Sequence, residues 1–266
     1  MALDPRFLAT AIEAALAAGR IQRKYFRRPL DVLKKGPIDL VTAADLEVEQ
    51  AFRALVAARF PSHVVLGEEQ AGALERRASG HRWIIDPVDG TTNFVHGLAL
   101  FCVSIALEVD GRVDLGVVYD PMAEELFTAE RGEGARLNGQ RLNVTSRDQL
   151  IDALLVTGFP YDPRGGRQHQ VGVFGAFLER SRAVRRLGSA ALDLCYVAAG
   201  RFDAFWEDQL HAWDIAAGAV IVTEAGGRVT DYTGAPVELT RGQIVASNAA
   251  LHARMLETIA SVPRSS

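Results

Sequence analysis

The amino-acid sequence predicts a layered α/β fold of the α+β kind, in which helices and β-sheets form separate layers. The prediction rests on the order of patterns along the chain. Two amphipathic helices come first, antiparallel strands fill the middle, and strands alternate with helices in the second half. This order differs from the unbroken strand–helix–strand repeat that indicates a purely parallel sheet. With 266 residues, 48% of them hydrophobic, the chain is long enough to bury a sizeable core.

The first two helices are predicted from their start and stop residues. Asp4 followed by Pro5 is typical of a helix N-terminus, and an apolar stripe then continues to about Phe26. Thr42 can cap a second helix, which Pro61 stops.

The middle of the chain is rich in strand patterns. Val64–Leu66 is predicted as a short strand, and two β-rich runs flank Asp110-Gly111, which is a strong hairpin pattern. Further strands are expected around Asn138-Gly139, a second turn pair.

The second half alternates strands with helices. Strands are expected at "ALLVTGF", Ala183–Leu187, "RFDAFWE", "GRVTDY" and "QIVASN", and helices at Val171–Arg182, Ala190–Ala199 (capped by Ser189), Ile215–Ala225 and Ala249–Ala260. We expect one domain over residues 1–266 with two packed halves, about 1–145 and 146–266, because the sequence turns polar near Leu142–Leu150.

Charge and composition indicate a soluble cytoplasmic protein. The net charge is −4, and no basic run suggests a nucleic-acid ligand. Cys102 and Cys195 each lie in an apolar run, which favours buried free thiols in a reducing compartment. The N-terminus lacks the pattern of a signal peptide, and no apolar run approaches the roughly 20 residues of a membrane span.

The stretch "WIIDPVDGTTNF" places two acids directly after an apolar strand. Pro87 stiffens a turn that can aim Asp86 and Asp89 into one cavity, and Gly90 lets the backbone turn tightly. The N–H groups of the following Thr91-Thr92 can face an anion at a helix start. Carboxylates beside an anion require a cation between them, and magnesium prefers such oxygen ligands.

Three further acids stand at strand ends or helix starts: Asp45, Glu68 in "GEE", and Asp214 in "WDIAAG". Each one alone is explained as simply by a surface charge or a helix cap, and Asp214 could cap the helix that follows it. The nine specified positions of "DPVDGTTNF" exceed what a turn requires.

These motifs together resemble the inositol monophosphatase family. "DPVDGTTNF" and "WDIAAG" look like its two signatures, while "KKGPIDLVTAAD" (Lys34 to Asp45) and "GEE" match its other motifs in order. The resemblance covers about residues 5–260. It implies a layered α-β-α-β-α sandwich, usually a homodimer, and a lithium-sensitive, magnesium-dependent phosphatase.

The resemblance also implies roles for the acids. Two to three Mg²⁺ ions would be held: the first by Glu68, Asp86 and the Val88 carbonyl, the second by Asp86, Asp89 and Asp214, and a weaker third by Glu68 with waters. Thr91, assisted by Asp45, would orient the attacking water.

Phosphate and substrate residues follow from the same resemblance. The phosphate would be bound by the backbone N–H groups of Gly90, Thr91 and Thr92, and Lys34, or its neighbour Lys35, would lie near the metals. Glu207 and the segment Gly188-Ser189-Ala190 would contact the alcohol part of the substrate. The first half of the chain would thus carry the metals and the second half the substrate side.

The implied reaction is direct hydrolysis of a phosphate monoester, without a phosphoenzyme. Inositol-1-phosphate is the expected substrate, with glycerol-2-phosphate and related sugar phosphates also hydrolysed. Histidinol phosphate, fructose-1,6-bisphosphate and 3′-phosphoadenosine 5′-phosphate are alternatives, because their phosphatases share the metal motifs. These phosphatases differ in the loops that contact the alcohol part of the substrate. In this sequence the loops lie around Phe159–Arg167 and Gly188–Glu207.

A function of a different class stays open. Some bacterial proteins that this chain resembles bind transcription antitermination factors and act in RNA processing independently of catalysis. Arg182, Arg185 and Arg186 could form a basic patch for such a partner. The alternative is a solvated cluster at a helix end or dimer edge.

Overall fold

Two β-sheets alternate with three layers of helices in the computed structural model of the protein. The structure describes residues 3–28, 33–34, 40–69, 80–160 and 167–263, with the backbone alone at 33–34, 40–41 and 167. Its helices are α1 Pro5–Tyr25, α2 Ala43–Arg59, α3 Thr91–Val95, α4 Arg167–Arg180, α5 Ala190–Ala198, α6 Ala212–Glu224 and α7 His252–Ala260, with a 3₁₀ turn at Leu150–Asp152.

The strands form one large sheet, one smaller sheet and a short hairpin. In chain order they are β1 Leu33–Lys34, β2 Leu40–Val41, β3 Val64–Gly67, β4 His81–Asp89, β5 Cys102–Val109, β6 Arg112–Asp120, β7 Glu125–Glu130, β8 Gly134–Leu137, β9 Gln140–Arg141, β10 Leu154–Thr157, β11 Ala183–Arg185, β12 Ala204–Glu207, β13 Gly227–Thr230 and β14 Ile244–Asn248.

The larger sheet has the order β3-β4-β5-β6-β7-β8-β9, and β1 pairs with β2 in a separate two-stranded sheet. Apart from the parallel pair β3–β4, the neighbours in the larger sheet are antiparallel. The smaller sheet has the order β11-β10-β12-β14-β13, with β10 parallel to both of its neighbours. Both predicted hairpin turns are confirmed. Asp110-Gly111 and Asn138-Gly139 have positive φ angles at both positions, as a two-residue turn of this type requires.

Apolar side chains fix the order of the layers as α-β-α-β-α, which confirms the predicted fold class. Helices α1 and α2 cover one face of the larger sheet through a core that includes Phe7, Phe52 and Trp83. Helices α5 and α6 lie between the sheets, and α4 and α7 cover the outer face of the smaller sheet around Phe177 and Trp206. Each sheet therefore buries both of its faces.

The predicted starts of the first two helices are confirmed. The Asp4 carboxylate accepts a hydrogen bond of 2.9 Å from the Arg6 backbone N–H. Thr42 and Asp45 form a reciprocal capping box at the start of α2. The box holds the Asp45 carboxyl group against the backbone at the start of α2.

Two other helix predictions are wrong in detail. Helix α6 begins at Ala212 rather than Ile215, so Asp214 is its third residue and accepts from the His211 backbone N–H at 2.6 Å. Ser189 precedes α5 but makes no capping bond with its side chain. Its hydroxyl donates instead to a carboxylate of the larger sheet, a partner that local sequence does not reveal.

Both cysteines are buried free thiols, as expected. Over the described ranges, no helix is both long and apolar enough to cross a membrane.

A buried histidine makes stability depend on pH. His252 is fully buried, with Nδ1 2.8 Å from the Ser247 hydroxyl and Nε2 2.8 Å from the Thr230 hydroxyl. Burial lowers the pKa of His252 to about 4, whereas an unfolded histidine titrates near 6.5. The unfolded chain therefore binds this proton more tightly, and the contribution to stability is lost as the pH falls from about 6.5 to about 4.

We expect a His252→Gln variant to be less stable than the wild type near pH 7.5, and the gap in unfolding free energy to shrink toward pH 4.5. Urea unfolding at a series of pH values measures both proteins. A gap that stays constant over this range would contradict the assignment.

Candidate metal centre

Three carboxylates converge at the edge where the larger sheet meets the central helices. Asp86 and Asp89 lie near the end of β4, and Asp214 lies in the first turn of α6. One oxygen atom from each lies within 4.8 Å of the others. The structure thus brings together three of the acids predicted from sequence, two from β4 and one from the distant helix α6.

A β-bulge aims the first two acids the same way. Asp86 is opposite Ser104 and Asp89 is opposite Cys102, so three steps along β4 match two along β5. In a regular strand, residues three apart point to opposite faces. The extra residue corrects this, and Pro87, which lacks an N–H, is tolerated at such a bulge. Strand β4 therefore continues through both acids. This corrects the sequence analysis, which placed the acids directly after the end of the strand.

Each carboxylate is oriented by hydrogen bonds to one of its oxygens. Asp89 Oδ2 accepts from the Ser189 hydroxyl at 2.6 Å and from the Ala191 backbone N–H at 2.7 Å. Asp86 Oδ1 accepts from the Val88 backbone N–H at 2.9 Å. Together with the bond from His211 to Asp214, these contacts fix the orientation of all three carboxyl groups.

Burial and mutual repulsion disfavour the ionised forms of these acids. Burial is the largest cause that raises the pKa of Asp86 well above its usual value, and the charges of Glu68, Asp89 and Asp214 add to it. The pKa of Asp214 is raised well above its usual value in the same way, first by burial and then by Asp89. For Asp89, burial also raises the pKa, against the opposing hydrogen bonds from Ser189 and Ala191.

Asp45 and Glu68 lie beside this cluster. Asp45 is fully buried, its Oδ2 accepts from Thr42 N–H at 2.8 Å, and its Oδ1 has no hydrogen-bond partner among the described residues. Burial raises the pKa of Asp45 to about 6. Glu68 follows β3, and its charge contributes to the raised pKa of Asp45, Asp86 and Asp214.

The backbone after Asp89 turns sharply into α3. Gly90 has φ +97°, and a Cβ there would approach the Leu100 carbonyl oxygen to 2.9 Å, so glycine is required. The Thr91 hydroxyl donates to the Val88 carbonyl at 2.9 Å. Thr91 and Thr92 are the first residues of α3.

A cleft bordered by Asp89 and Asp214 contains the residues predicted to contact the alcohol part of the substrate. It is lined by Asp89, Gly158, Phe159, Arg186, Gly188, Ser189, Ala190, Glu207, Leu210 and Asp214. Glu207 is buried at the end of β12, and burial raises its pKa to about 8. The second half of the chain therefore places Gly188–Ala190 and Glu207 next to Asp89 of the first half.

Some predicted residues lie elsewhere or outside the described part. Lys34 lies in β1, where only the backbone is described, and Lys35 and most of the loop 159–167 lie outside the described residues. All three arginines considered for a basic patch are exposed. Arg186 also lines the cleft, and Arg182 pairs with Asp152 at 2.8 Å.

Sequence reasoning missed two residues that hold the loops around the acids. Gln22, buried in α1, donates to the Pro87 carbonyl at 2.7 Å. Asn93 donates to the carbonyls of Leu100 and Leu187, which joins α3 to the segment before α5. Gln22 could have been found, because it is a polar residue within the apolar stripe of its helix.

Comparisons with known proteins identify relatives over almost the whole chain. The model of the inositol monophosphatase family matches residues 4–264. An inositol-1-monophosphatase of Mesorhizobium japonicum is 45% identical over 93% of this chain and 94% of its own length. A protein named Nus factor SuhB, of Pseudomonas aeruginosa, is 45% identical over 94% of both chains.

A solved structure shows the same fold. The inositol monophosphatase of Anabaena (Nostoc) superimposes with a TM-score of 0.87 at 39% identity, over 97% of each chain. The chain belongs to the inositol monophosphatase family.

Proposed function

We propose that the protein hydrolyses phosphate monoesters with the help of Mg²⁺, and that inositol-1-phosphate is its substrate, yielding myo-inositol and phosphate. The observation that carries this proposal is the convergence of Asp86, Asp89 and Asp214 beside a cleft that contains Glu207. The name of the Mesorhizobium relative supports the choice of substrate.

The residues present fit a hard divalent cation. Two buried carboxylates and the partly buried Asp214 place oxygen atoms within 4.8 Å of one another, and Asp45 adds a buried oxygen that lacks a hydrogen-bond partner in the described structure. Two like charges about 4 Å apart repel by about 1 kcal/mol in water and about 4 kcal/mol near a protein surface. Mg²⁺ prefers carboxylate and carbonyl oxygens and removes this repulsion.

We assign two to three Mg²⁺ ions to the acids, with ligands as the family motifs imply. Glu68, Asp86 and the Val88 carbonyl would hold the first, Asp86, Asp89 and Asp214 the second, and Glu68 with waters a third. Bound Mg²⁺ would polarise the phosphate and lower the pKa of a coordinated water. Lys34 is proposed to lie near these ions.

Thr91 and Asp45 are proposed to orient the attacking water. Because the Thr91 hydroxyl donates its own hydrogen to the Val88 carbonyl, its lone pairs are directed to accept a hydrogen from water. This hydrogen bond therefore leaves Thr91 to act as a hydrogen-bond acceptor toward the water. Asp45, held by the capping box, would accept from the same water.

Backbone N–H groups would hold the phosphate, and the cleft would hold the alcohol. The N–H groups of Gly90, Thr91 and Thr92 stand at the start of α3, where donors suit an anion. Gly188-Ser189-Ala190 and Glu207 would contact the hydroxyl groups of the alcohol. The carboxyl group of Glu207 can accept from a hydroxyl and, when protonated, donate to one.

Repulsion within the acid cluster should destabilise the metal-free protein. We expect Asp89→Asn to raise the melting temperature of the metal-free protein at pH 7.5, by about 2–4 °C for each kcal/mol of repulsion removed. The change is nearly isosteric, and the retained oxygen can still accept from Ser189 and Ala191. Added Mg²⁺ should then stabilise the wild type more than the variant, because the variant loses a ligand of the second site and keeps those of the first. Equal stabilisation of both proteins in thermal unfolding would contradict the metal assignment.

Phosphate release should identify the substrate. We expect inositol-1-phosphate to be hydrolysed faster than histidinol phosphate, fructose-1,6-bisphosphate or 3′-phosphoadenosine 5′-phosphate, in a reaction that requires Mg²⁺. Tens of millimolar lithium should inhibit, by occupying the site of Asp86, Asp89 and Asp214. The Asp89→Asn variant should lose activity by a larger factor than the roughly 10- to 100-fold that removal of a residue supporting a metal ligand costs. A different preferred substrate would contradict the assignment of inositol-1-phosphate. Turnover without Mg²⁺ would contradict the proposed role of the metal.

A role in transcription is a second candidate, because curated relatives of similar identity are named Nus factor SuhB. The three arginines considered for a partner, Arg182, Arg185 and Arg186, are all exposed. We expect a transcription antitermination factor to be retained by the immobilised protein, and equally by the Asp89→Asn variant. No retention by either would exclude this role for the factor tested, and loss with Asp89→Asn alone would tie binding to the metal centre.

A further inference from the structure

We infer that Glu49 is a positioning residue for the metal centre, because its buried carboxylate holds the turn that carries Glu68. The inference rests on the proposed function, in which Glu68 is a metal ligand. Glu49 is fully buried on α2, one helical turn after Asp45. The same helix face therefore carries two buried carboxyl groups toward the region of Glu68.

The Glu49 carboxylate contacts the backbone directly after Glu68. Its Oε2 accepts from the Glu69 backbone N–H at 2.8 Å. Its Oε1 accepts from Arg53 Nε at 2.8 Å, and Arg53 Nη1 donates in turn to the Val65 carbonyl of β3 at 3.0 Å. Glu49 and Arg53 thus connect α2 to the strand before Glu68 and to the residue after it.

The residue before Glu68 is shaped by the same carboxylate. A Cβ on Gly67 would lie 2.4–2.6 Å from the carboxyl atoms of Glu49, which is closer than real side chains approach. Gly67 therefore lets the carboxylate reach the backbone. Glu68 is held between two neighbours that both pack against Glu49.

Stability of the fold alone is a weak explanation for this arrangement. A buried ion pair gains little over a well-packed apolar replacement, because both charges must first leave water. The bond to the Glu69 N–H has a geometric consequence instead, since it fixes the turn from which the Glu68 side chain departs. Residues that orient ligands in this way typically contribute about 10- to 100-fold to metal affinity.

Titration calorimetry with Mg²⁺ on the metal-free protein tests the inference. We expect Glu49→Ala to weaken Mg²⁺ binding by about 10- to 100-fold. Glu49→Gln keeps an oxygen that can accept from the Glu69 N–H, and should recover part of the affinity. The matched control is Glu108→Gln, which removes another buried acid, one paired with Arg82 at 2.6 Å in the larger sheet. It should bind Mg²⁺ like the wild type.

Gly67→Ala provides an independent variant that perturbs the same contact from the other side. It should weaken Mg²⁺ binding, and its effect should not add to that of Glu49→Ala, because both remove one interaction. Gly67→Ala also tests the inference by itself if the Glu49→Ala variant fails to fold.

Unchanged Mg²⁺ affinity in a folded Glu49→Ala or Gly67→Ala variant would overturn the inference, as would equal weakening in the Glu108→Gln control. Calorimetry requires no turnover, so it separates the two claims. Weakened binding in a protein that hydrolyses no phosphate monoester would support Glu49 while refuting the proposed function.

Discussion

Repulsion among buried carboxylates is the constraint on which the rest of the structure depends. Asp86, Asp89 and Asp214 bring oxygens within 4.8 Å of one another, and burial raises the pKa of each. Such a cluster opposes folding unless protons or cations neutralise it. The chain nevertheless holds all three in fixed orientations, which supports the proposal that the cluster binds a cation.

The layers are needed to assemble this cluster. The larger sheet supplies Asp86 and Asp89 from the bulge in β4, and the central helices supply the groups that complete the site. The start of α5 donates to Asp89, and the Ser104 hydroxyl of β5 donates to the Trp213 carbonyl at 3.1 Å, beside Asp214. Because α5 and α6 pack between both sheets, the halves of the chain must dock before the site exists.

Local patterns could be predicted from the sequence, whereas long-range partners could not. Asp4 and Thr42 cap their helices because the bonds involved span a few residues. Ser189 has the same local pattern, yet its hydroxyl bonds to a carboxylate 100 positions away in the chain. The bulge in β4 likewise depends on tertiary contacts, because it is set by the pairing with β5. The acids themselves were found because so many specified positions stand together around Asp86.

The most direct test of the central claim is anomalous diffraction from crystals soaked in Mn²⁺, a cation of similar ligand preference that scatters anomalously. We predict a peak at the site that Asp86, Asp89 and Asp214 form together, and the loss of that peak in crystals of the Asp89→Asn variant. An ordered, well-diffracting crystal with no peak at this cluster, or with a peak that Asp89→Asn leaves unchanged, would contradict the assignment of these acids to a cation.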